Sequence, residues 1–315
     1  MVDYSKWAKM PSSPSSSSSS SCDVDTSTPA AATCSPPLQQ QRHLHTTISS
    51  NSNNSRSNEV CPEGGAIASR SLETPNSNRR RGAVIFLHGT GHTGRGVRDW
   101  LNSASGGKFE RTLRELRLGP AVFPTAPKIP YTPAGGRPLT VWFDREMLSP
   151  GSPQDRQGVL RSLQQVDDEV RKLEREGVPV GGIFVGGFSM GGCLALEALG
   201  SEALVGRLAG VFSHASFLSD DSAVFDAARV TSTPVYASHG VADGKVKASW
   251  GRKTMERLRG KGFEVRFAEH EGMTHELGDK QIAGLLGWIT AVASRPGFGR
   301  SSTPSAGESG GSGVR

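Results

Sequence analysis

The chain has 315 residues, 35% of them hydrophobic, and a formal net charge of +6. This length allows one large domain or two small ones, and the hydrophobic fraction is lower than that of an average globular protein. Lys and Arg are dispersed and mostly interleaved with Asp and Glu, which argues against a nucleic-acid partner, and no apolar run is long enough to cross a membrane.

The first 80 residues account for much of the low hydrophobic fraction. They contain runs such as PSSPSSSSSSS and TTISSNSNNSRSN, whose side chains cannot offset the entropy of ordering the chain. The sequence therefore predicts a disordered leader over 1–80, one folded domain over 81–294 and a disordered tail over 295–315. The Ser-rich leader has few acidic residues, so an organelle transit peptide stays open as an alternative to a cytoplasmic location.

The four cysteines give no sign of a disulfide framework or of a metal site. Cys22, Cys34 and Cys61 lie in the predicted leader, and Cys193 lies just after a serine motif. There is no CxxC pair and no spacing of zinc ligands, which favours a reducing compartment and a protein without a metal. We expect Cys193 to pack in the helix that follows the motif rather than to act as a nucleophile.

From residue 82 onward, short apolar runs alternate with segments of helical period. We predict strands at 83–89, 121–127, 182–188, 210–217, 234–240 and 264–272. Apolar residues at three- and four-residue spacing predict an amphipathic helix from Val159 to Leu173, stopped by Gly177, and further helices around Met255 and Leu285. This alternation predicts an α/β fold with a mostly parallel sheet and helices on both faces. Functional groups then collect in the loops at the carboxyl ends of the strands.

A serine motif follows the predicted strand 182–188. Gly187, Ser189 and Gly191 spell G-x-S-x-G, and the helical segment MGGCLALEALG comes next. In a strand–turn–helix context this pattern is a nucleophile elbow, a turn so tight that side chains at the glycine positions would collide and the serine is forced outward. The alternative is a glycine-rich turn without chemistry, and the context favours Ser189 as a nucleophile.

A serine nucleophile needs a histidine base, and in this fold the base follows the serine along the chain. Of the histidines after Ser189, His214 and His239 leave little or no room for a loop that carries an acid between serine and base. His270 ends the last predicted strand, and His275 lies in the loop that follows it. Because that loop can reach the elbow, we choose His275 as the base and regard His270 as a residue of the surface or strand edge.

The orienting acid and the oxyanion donors come from other predicted loops. Asp243 follows the strand 234–240, where it would hold the imidazole in the correct tautomer. The backbone amides of Met190, directly after the serine, and of Thr90, in the loop after the first strand, are the predicted oxyanion donors. His88 shapes that first loop and is not a candidate base.

These motifs together resemble the acyl-protein thioesterase and carboxylesterase family of α/β-hydrolases. The segments VIFLHGTGHTG, FPTAP, VWFD, GGFSMGG, SHGVAD and GMTHEL follow the family's order over residues 83–292. YTPAGG before VWFDR, the methionine after the serine and GVFSHASFL look like the lysophospholipase-like branch. The resemblance implies an α/β-hydrolase fold, a Ser189, Asp243 and His275 triad, and oxyanion amides on Thr90 and Met190, with no cofactor.

The same resemblance implies Trp142 and Phe143 as walls of the substrate pocket, for which ordinary core aromatics are the alternative. One departure is His92, at a position where the family typically has Asp. Acyl length stays open, because thioesterases have a long apolar tunnel and the lysophospholipase-like branch a shallower site.

The expected function is cleavage of acyl thioesters or carboxylic esters by a serine hydrolase. Its substrates would be acylated small molecules, lipids or S-acylated proteins. A lysophospholipase, which differs only in the leaving group, and a catalytically silent ligand-binding protein on the same fold are the alternatives. An intact set of serine, acid and histidine argues against the silent protein, which has no physical need of all three.

Overall fold

The computed structural model describes residues 80–226 and 232–299. Residues 1–79 of the predicted leader and 300–315 of the predicted tail therefore lie outside the described residues. Within the described ranges, no helix has the length and apolar character needed to cross a membrane.

Strands and helices alternate along these residues. The strands are β1 (Ala83–Leu87), β2 (Lys128–Tyr131), β3 (Arg137–Thr140), β4 (Ile183–Phe188), β5 (Leu208–His214), β6 (Val235–Gly240) and β7 (Val265–His270). The helices are α1 (Gly94–Ala104), α2 (Lys108–Glu115), α3 (Arg156–Arg175), α4 (Met190–Glu197), α5 (Ala248–Gly260) and α6 (Asp279–Ala293). As predicted, Gly177 follows the end of α3, where it has a positive φ of 87°.

Five of the strands form one parallel sheet in the order β1-β4-β5-β6-β7. Side chains alternate between its two faces, so that Ile85 and Leu87 pack in one core while Val84 and Phe86 pack in the other. The first core contains the apolar side chains of α3, α4 and α5, and the second contains those of α1, α2 and α6. The predicted α/β architecture, with helices on both faces of the sheet, is confirmed.

The predicted strand 121–127 is wrong. In the structure this segment pairs with β1 only around Val122. The Val122 amide donates to the Val84 carbonyl, and the Val122 carbonyl accepts from the Phe86 amide. Pro124 and Pro127 have no N–H group, so the segment cannot continue the ladder. The antiparallel hairpin of β2 and β3 follows instead, and it is absent from the strands predicted above.

Loops at the carboxyl end of the sheet bring together residues that are far apart in the sequence. The loops after β1, β4, β6 and β7 begin at this edge, because parallel strands all point the same way. Two backbone hydrogen bonds join the loops after β6 and β7. The Val241 amide donates to the His270 carbonyl (3.0 Å), and the Ala242 amide donates to the Met273 carbonyl (2.9 Å). The segments that carry Asp243 and His275 are thereby held side by side.

Candidate active site

Ser189 lies at the sharp turn between β4 and α4. Its backbone has φ 55° and ψ −120°, a conformation that costs a residue other than glycine about 1–3 kcal/mol. The turn is held from both sides, since the Ser189 amide donates to the His214 carbonyl (2.8 Å) and the Ser189 carbonyl accepts from the Cys193 amide (3.0 Å). The strain is therefore built into the end of the sheet.

The two glycines of G-x-S-x-G have no room for a side chain. A Cβ on Gly187 would lie 2.7 Å from the carbonyl carbon of Gly191, and a Cβ on Gly191 would lie 2.6 Å from the His88 carbonyl oxygen. These neighbours are backbone atoms, which cannot rotate away. The close packing of the elbow against the end of β1 fixes the position of Ser189.

The structure brings Ser189, His275 and Asp243 into one hydrogen-bonded series. The Oγ of Ser189 lies 3.1 Å from Nε2 of His275, and Nδ1 of the same ring lies 2.7 Å from Oδ2 of Asp243. The second carboxylate oxygen of Asp243 accepts from the amides of Lys245 and Val246, both at 2.9 Å. The carboxylate is thus fixed by its own loop and is free to hold the imidazole in one orientation.

Burial and hydrogen bonding set the charges in this series. Burial alone would raise the pKa of Asp243, but hydrogen bonds from His239, His275 and the Val246 amide hold it well below its usual range. Burial lowers the pKa of His275, and the hydrogen bond with Asp243 only partly opposes this effect. At neutral pH the arrangement therefore holds an ionised carboxylate beside a neutral imidazole, which can accept a proton.

His239 belongs to the site, although its place in the sequence argues against a role as the base. Its ring is 1% exposed, and Nε2 lies 2.8 Å from the Val246 carbonyl and 3.4 Å from Oδ2 of Asp243. A donated Nε2–H therefore supports both the loop and the carboxylate. Its position four residues before Asp243, at the end of β6, is the signal in the sequence that could have suggested this contact.

Among the described residues, the rings of His214, His88 and His270 form no hydrogen bond with the Ser189 hydroxyl. His214 is fully buried, with Nδ1 2.6 Å from the Ser238 hydroxyl, and burial lowers its pKa to about 3. In His88, Nε2 accepts from the Ala126 amide (3.0 Å) and Nδ1 lies 2.7 Å from the Gly89 carbonyl. Nε2 of His270 is buried and finds no hydrogen-bond partner among the described residues.

Thr90 and Met190 face each other beside Ser189. Both are 4% exposed, and the Thr90 hydroxyl contacts the Met190 sulfur at 3.9 Å. As the first residue of α4, Met190 has an amide that cannot bond to a carbonyl within the helix. Within the described ranges the amide of Thr90 likewise has no backbone acceptor, whereas the Gly91 amide donates to the Thr140 carbonyl (2.9 Å) and the His92 amide donates to the Gly89 carbonyl of the same loop (3.1 Å).

A small pocket opens over Ser189. It encloses about 320 Å³ including the part open to solvent, so the enclosed space is smaller still. Its lining consists of Thr90, Tyr131, Arg145, Leu148, Ser189, Met190, Cys193, Ala215, Ser216, Phe217 and Val246. Burial raises the pKa of the Cys193 thiol to about 12, so this neighbour of the serine is a protonated packing residue.

Trp142 and Phe143, the predicted pocket walls, do not line this pocket. They are 1% and 2% exposed and belong to the core that contains α3 and α4. The indole N–H of Trp142 donates to the His88 carbonyl (2.8 Å), and Phe143 packs under the guanidinium of Arg145. Trp142 and Phe143 thus occupy the place of ordinary core aromatics, which was the alternative interpretation. The pocket lining contains Tyr131 and Arg145 instead.

Several known proteins are similar to this chain. A family model described as Phospholipase/Carboxylesterase matches residues 71–292. Lysophospholipase-like protein 1 of Mus musculus is 32% identical over 217 residues, which are 68% of this chain and 87% of that protein. Acyl-protein thioesterase 1 of Yarrowia lipolytica is 26% identical over 224 residues, which are 70% of this chain and 95% of that protein.

The fold is also similar to that of solved structures. The crystal structure of Arabidopsis thaliana SOBER1 matches with a TM-score of 0.58 and 25% identity, over 67% of this chain and 98% of that one. With the family match, this likeness confirms the α/β-hydrolase fold that the sequence motifs imply. The family match extends over all the segments that carry the motifs.

Proposed function

Because this chain belongs to the phospholipase/carboxylesterase family, we propose that it is a serine hydrolase that cleaves carboxylic esters or thioesters. Thioesters are included because one of the proteins similar to this chain is an acyl-protein thioesterase. The observation that carries the proposal is the unbroken series of hydrogen bonds from Ser189 through His275 to Asp243. Its substrates are acylated small molecules, lipids or S-acylated proteins, and the domain that performs the reaction spans residues 81–294.

Acylation begins when Oγ of Ser189 attacks the acyl carbon and its proton moves to Nε2 of His275. Asp243 stabilises the imidazolium that forms, and the amides of Thr90 and Met190 donate to the developing oxyanion. When the tetrahedral intermediate collapses, the bond to the leaving group breaks and His275 gives that group its proton. The acyl group then remains on Ser189 as an ester.

Deacylation repeats these steps with water as the nucleophile. His275 takes a proton from the water, the hydroxide attacks the acyl carbon, and the same two amides hold the oxyanion. The bond to Oγ breaks, Ser189 regains its proton from His275, and the carboxylic acid leaves. No step requires a metal or a cofactor.

The size of the pocket supports short acyl groups as the preferred substrates. About 320 Å³, which includes space open to solvent, is little room for a palmitoyl chain, and the buried side chains of Tyr131 and Phe217 are part of the lining. A lysophospholipase activity on long-chain lipids is the alternative within the same chemistry. Rates on thioesters and oxyesters from acetyl to palmitoyl, with lysophosphatidylcholine alongside, separate the two.

A fluorophosphonate probe tests the assignment of the nucleophile and the base. We expect the wild-type protein to be labelled, Ser189→Ala to lose the label, and His275→Ala to lose about three orders of magnitude in kcat/KM on a nitrophenyl butyrate ester. His270→Ala is the matched control and should keep nearly full activity. Labelling that persists in Ser189→Ala, or loss of activity in His270→Ala alone, would contradict the assignment.

The silent binding protein predicts a different result for the same measurements. A protein that only holds a ligand would turn over neither nitrophenyl esters nor acyl thioesters of any chain length. Turnover that vanishes in Ser189→Ala therefore excludes it.

We also propose a cytoplasmic location. The free and buried thiol of Cys193 supports it, because free cysteines are typical of proteins in a reducing compartment.

A further inference from the structure

A buried guanidinium lines the pocket over Ser189. Arg145 follows β3 in the chain, is only 8% exposed, and shares the pocket lining with Ser189, Met190 and Cys193. The rest of the lining is mostly apolar or uncharged. A neutral acyl chain cannot pair with a cation at this position. A buried guanidinium costs free energy unless another group compensates its charge.

Two aromatic rings lie against this guanidinium. The Cζ atom of Arg145 lies 5.1 Å from the ring centroid of Phe143 and 5.3 Å from that of Phe217. Aromatic rings stabilise a cation that lies over their faces, and they do not take up the N–H groups of a guanidinium, which can still donate hydrogen bonds.

The protein does not supply a carboxylate to this edge. Among the described residues Arg145 takes part in no ion pair, and its buried Nε has no hydrogen-bond partner. Its polar neighbour is the protonated thiol of Cys193. Glu197 is the nearby acidic group, and burial raises its pKa to about 7, an effect larger than the lowering of that pKa by the charge of Arg145. The carboxyl oxygens of Glu197 bond to Gln154 (2.5 Å) and Ser222 (2.9 Å) and form no ion pair with Arg145.

The pocket lies on the acyl side of the reaction. Its lining includes Ser189 and the two residues whose amides would hold the oxyanion, Thr90 and Met190, but not His275. The leaving group must stand within reach of His275 in order to receive its proton. The part of the substrate that enters the pocket with Arg145 is therefore the acyl chain.

We propose that Arg145 makes the site selective for acyl groups that end in a carboxylate, that is, for monoesters and monothioesters of short dicarboxylic acids. The inference rests on the proposed hydrolase function. The planar guanidinium edge binds a carboxylate with charge-assisted hydrogen bonds, which compensate the buried charge of Arg145. The small volume of the pocket limits the chain between the two carbonyl groups to a few carbons.

Matched pairs of substrates test this inference. One member is a nitrophenyl monoester of glutaric or adipic acid, and its partner has the far carboxylate replaced by a primary amide of the same shape. After subtraction of spontaneous hydrolysis, we expect the wild-type kcat/KM to favour the carboxylate by about tenfold or more. A wild-type enzyme that hydrolyses both at equal rates overturns the inference while leaving the proposed hydrolase function intact.

Substitution of the arginine provides the second arm. Arg145→Met keeps aliphatic bulk beside the two rings and should lose the carboxylate preference, so that the ratio of its kcat/KM values on the carboxylate-ended and amide-ended esters falls to near one. Arg252→Met is the control, because it removes the same charge from an exposed ion pair with Glu269. A preference that survives in Arg145→Met overturns the inference.

A third pair separates the acyl side from the leaving group. Butyrate esters of 4-hydroxybenzoic acid and of 4-hydroxybenzamide carry the carboxylate or the amide on the alcohol instead. We expect nearly equal rates for this pair, and a carboxylate preference found only here overturns the inference. If no substrate in any pair is hydrolysed and the fluorophosphonate does not label Ser189, it is the hydrolase function itself that fails.

Discussion

Individual side chains determine the chemistry of the site through their surroundings rather than through their identity alone. His275, His239 and His88 all lie near the carboxyl end of the sheet, yet only His275 has one ring nitrogen toward Ser189 and the other on Asp243. His239 and His88 use their nitrogens to hold loops together. The role of a histidine here depends on which acceptors and donors its ring meets.

His92 is the departure from the family pattern, and it lies close enough to His275 for the charge of His275 to lower the pKa of His92. Burial lowers the pKa of His92, and the charges of His275 and Lys245 lower it further. The Thr140 hydroxyl donates to the His92 carbonyl (2.5 Å), and the His92 ring meets the edge of Trp100 at 6.1 Å between centroids. With histidine instead of aspartate at position 92, this loop adds no negative charge to that of Asp243 near His275.

The pH dependence of kcat/KM tests this residue-scale electrostatics. Because His275 must be neutral to accept a proton and burial lowers its pKa, activity should fall with decreasing pH at a midpoint below 6.5. In His92→Asp the added carboxylate should raise that midpoint and leave the plateau at high pH nearly unchanged. His92→Asn is the neutral control, and equal midpoints in all three proteins would show that His92 does not act on His275.

At the scale of elements, the site depends on how closely α4 and its turn pack against β1. The elbow leaves no space at Gly191, where the carbonyl groups of Leu87 and His88 occupy the position of a side chain. The helix α4 is buried along its whole length, so it cannot move outward to make room. The geometry of the nucleophile is thus set by contacts between two segments about 100 residues apart.

Gly191→Ala should separate the elbow from β1. We expect a loss of about 1–3 kcal/mol in the free energy of unfolding and a large loss of activity, because the new methyl group meets backbone atoms. Gly287→Ala is a matched control on the exposed side of α6, with no atom within 4 Å of the new Cβ. It should be neutral or stabilising by up to about 1 kcal/mol, as expected for alanine in a helix. Thermal unfolding and ester hydrolysis of both variants measure the difference.

At the scale of the whole molecule, a buried carboxyl group links stability to pH. Glu197 is 4% exposed at the end of α4, and burial raises its pKa to about 7 from an ordinary value of 4.5. The folded protein therefore binds this proton more tightly than the unfolded chain does. The stability that the proton provides is complete below pH 4.5 and is lost as the pH rises through 7.

Glu197→Gln should remove this dependence. The free energy of unfolding of the variant minus that of wild type should be higher at pH 8 than at pH 5 by up to roughly 3 kcal/mol. Altered hydrogen bonds to Gln154 and Ser222 should lower the stability of the variant by the same amount at both pH values. Glu202→Gln removes the same charge from an exposed position and is the control. Denaturant unfolding at the two pH values measures the effect, and an equal shift at both would contradict it.

Much of the fold follows from the sequence, because its main signals are local. The period of apolar residues predicted β4, β6 and the helices from α3 onward, and the chain order of the motifs led to Ser189, Asp243 and His275, whose catalytic roles stay predictions. The same local signals failed at 121–127, where an apolar run looks like a strand but its prolines cannot donate to the ladder. They also missed the hairpin of β2 and β3, whose short strands are largely exposed.

Only the tertiary structure decided what surrounds the serine. The sequence by itself determined the sharp turn at Ser189, the alternation that builds a parallel sheet, and the family, since these depend on short motifs and their order. It did not determine that Trp142 lies in the core while Arg145 lines the pocket, or that His239 supports Asp243. Such contacts join loops from distant parts of the chain, and their geometry arises only when the whole sheet packs.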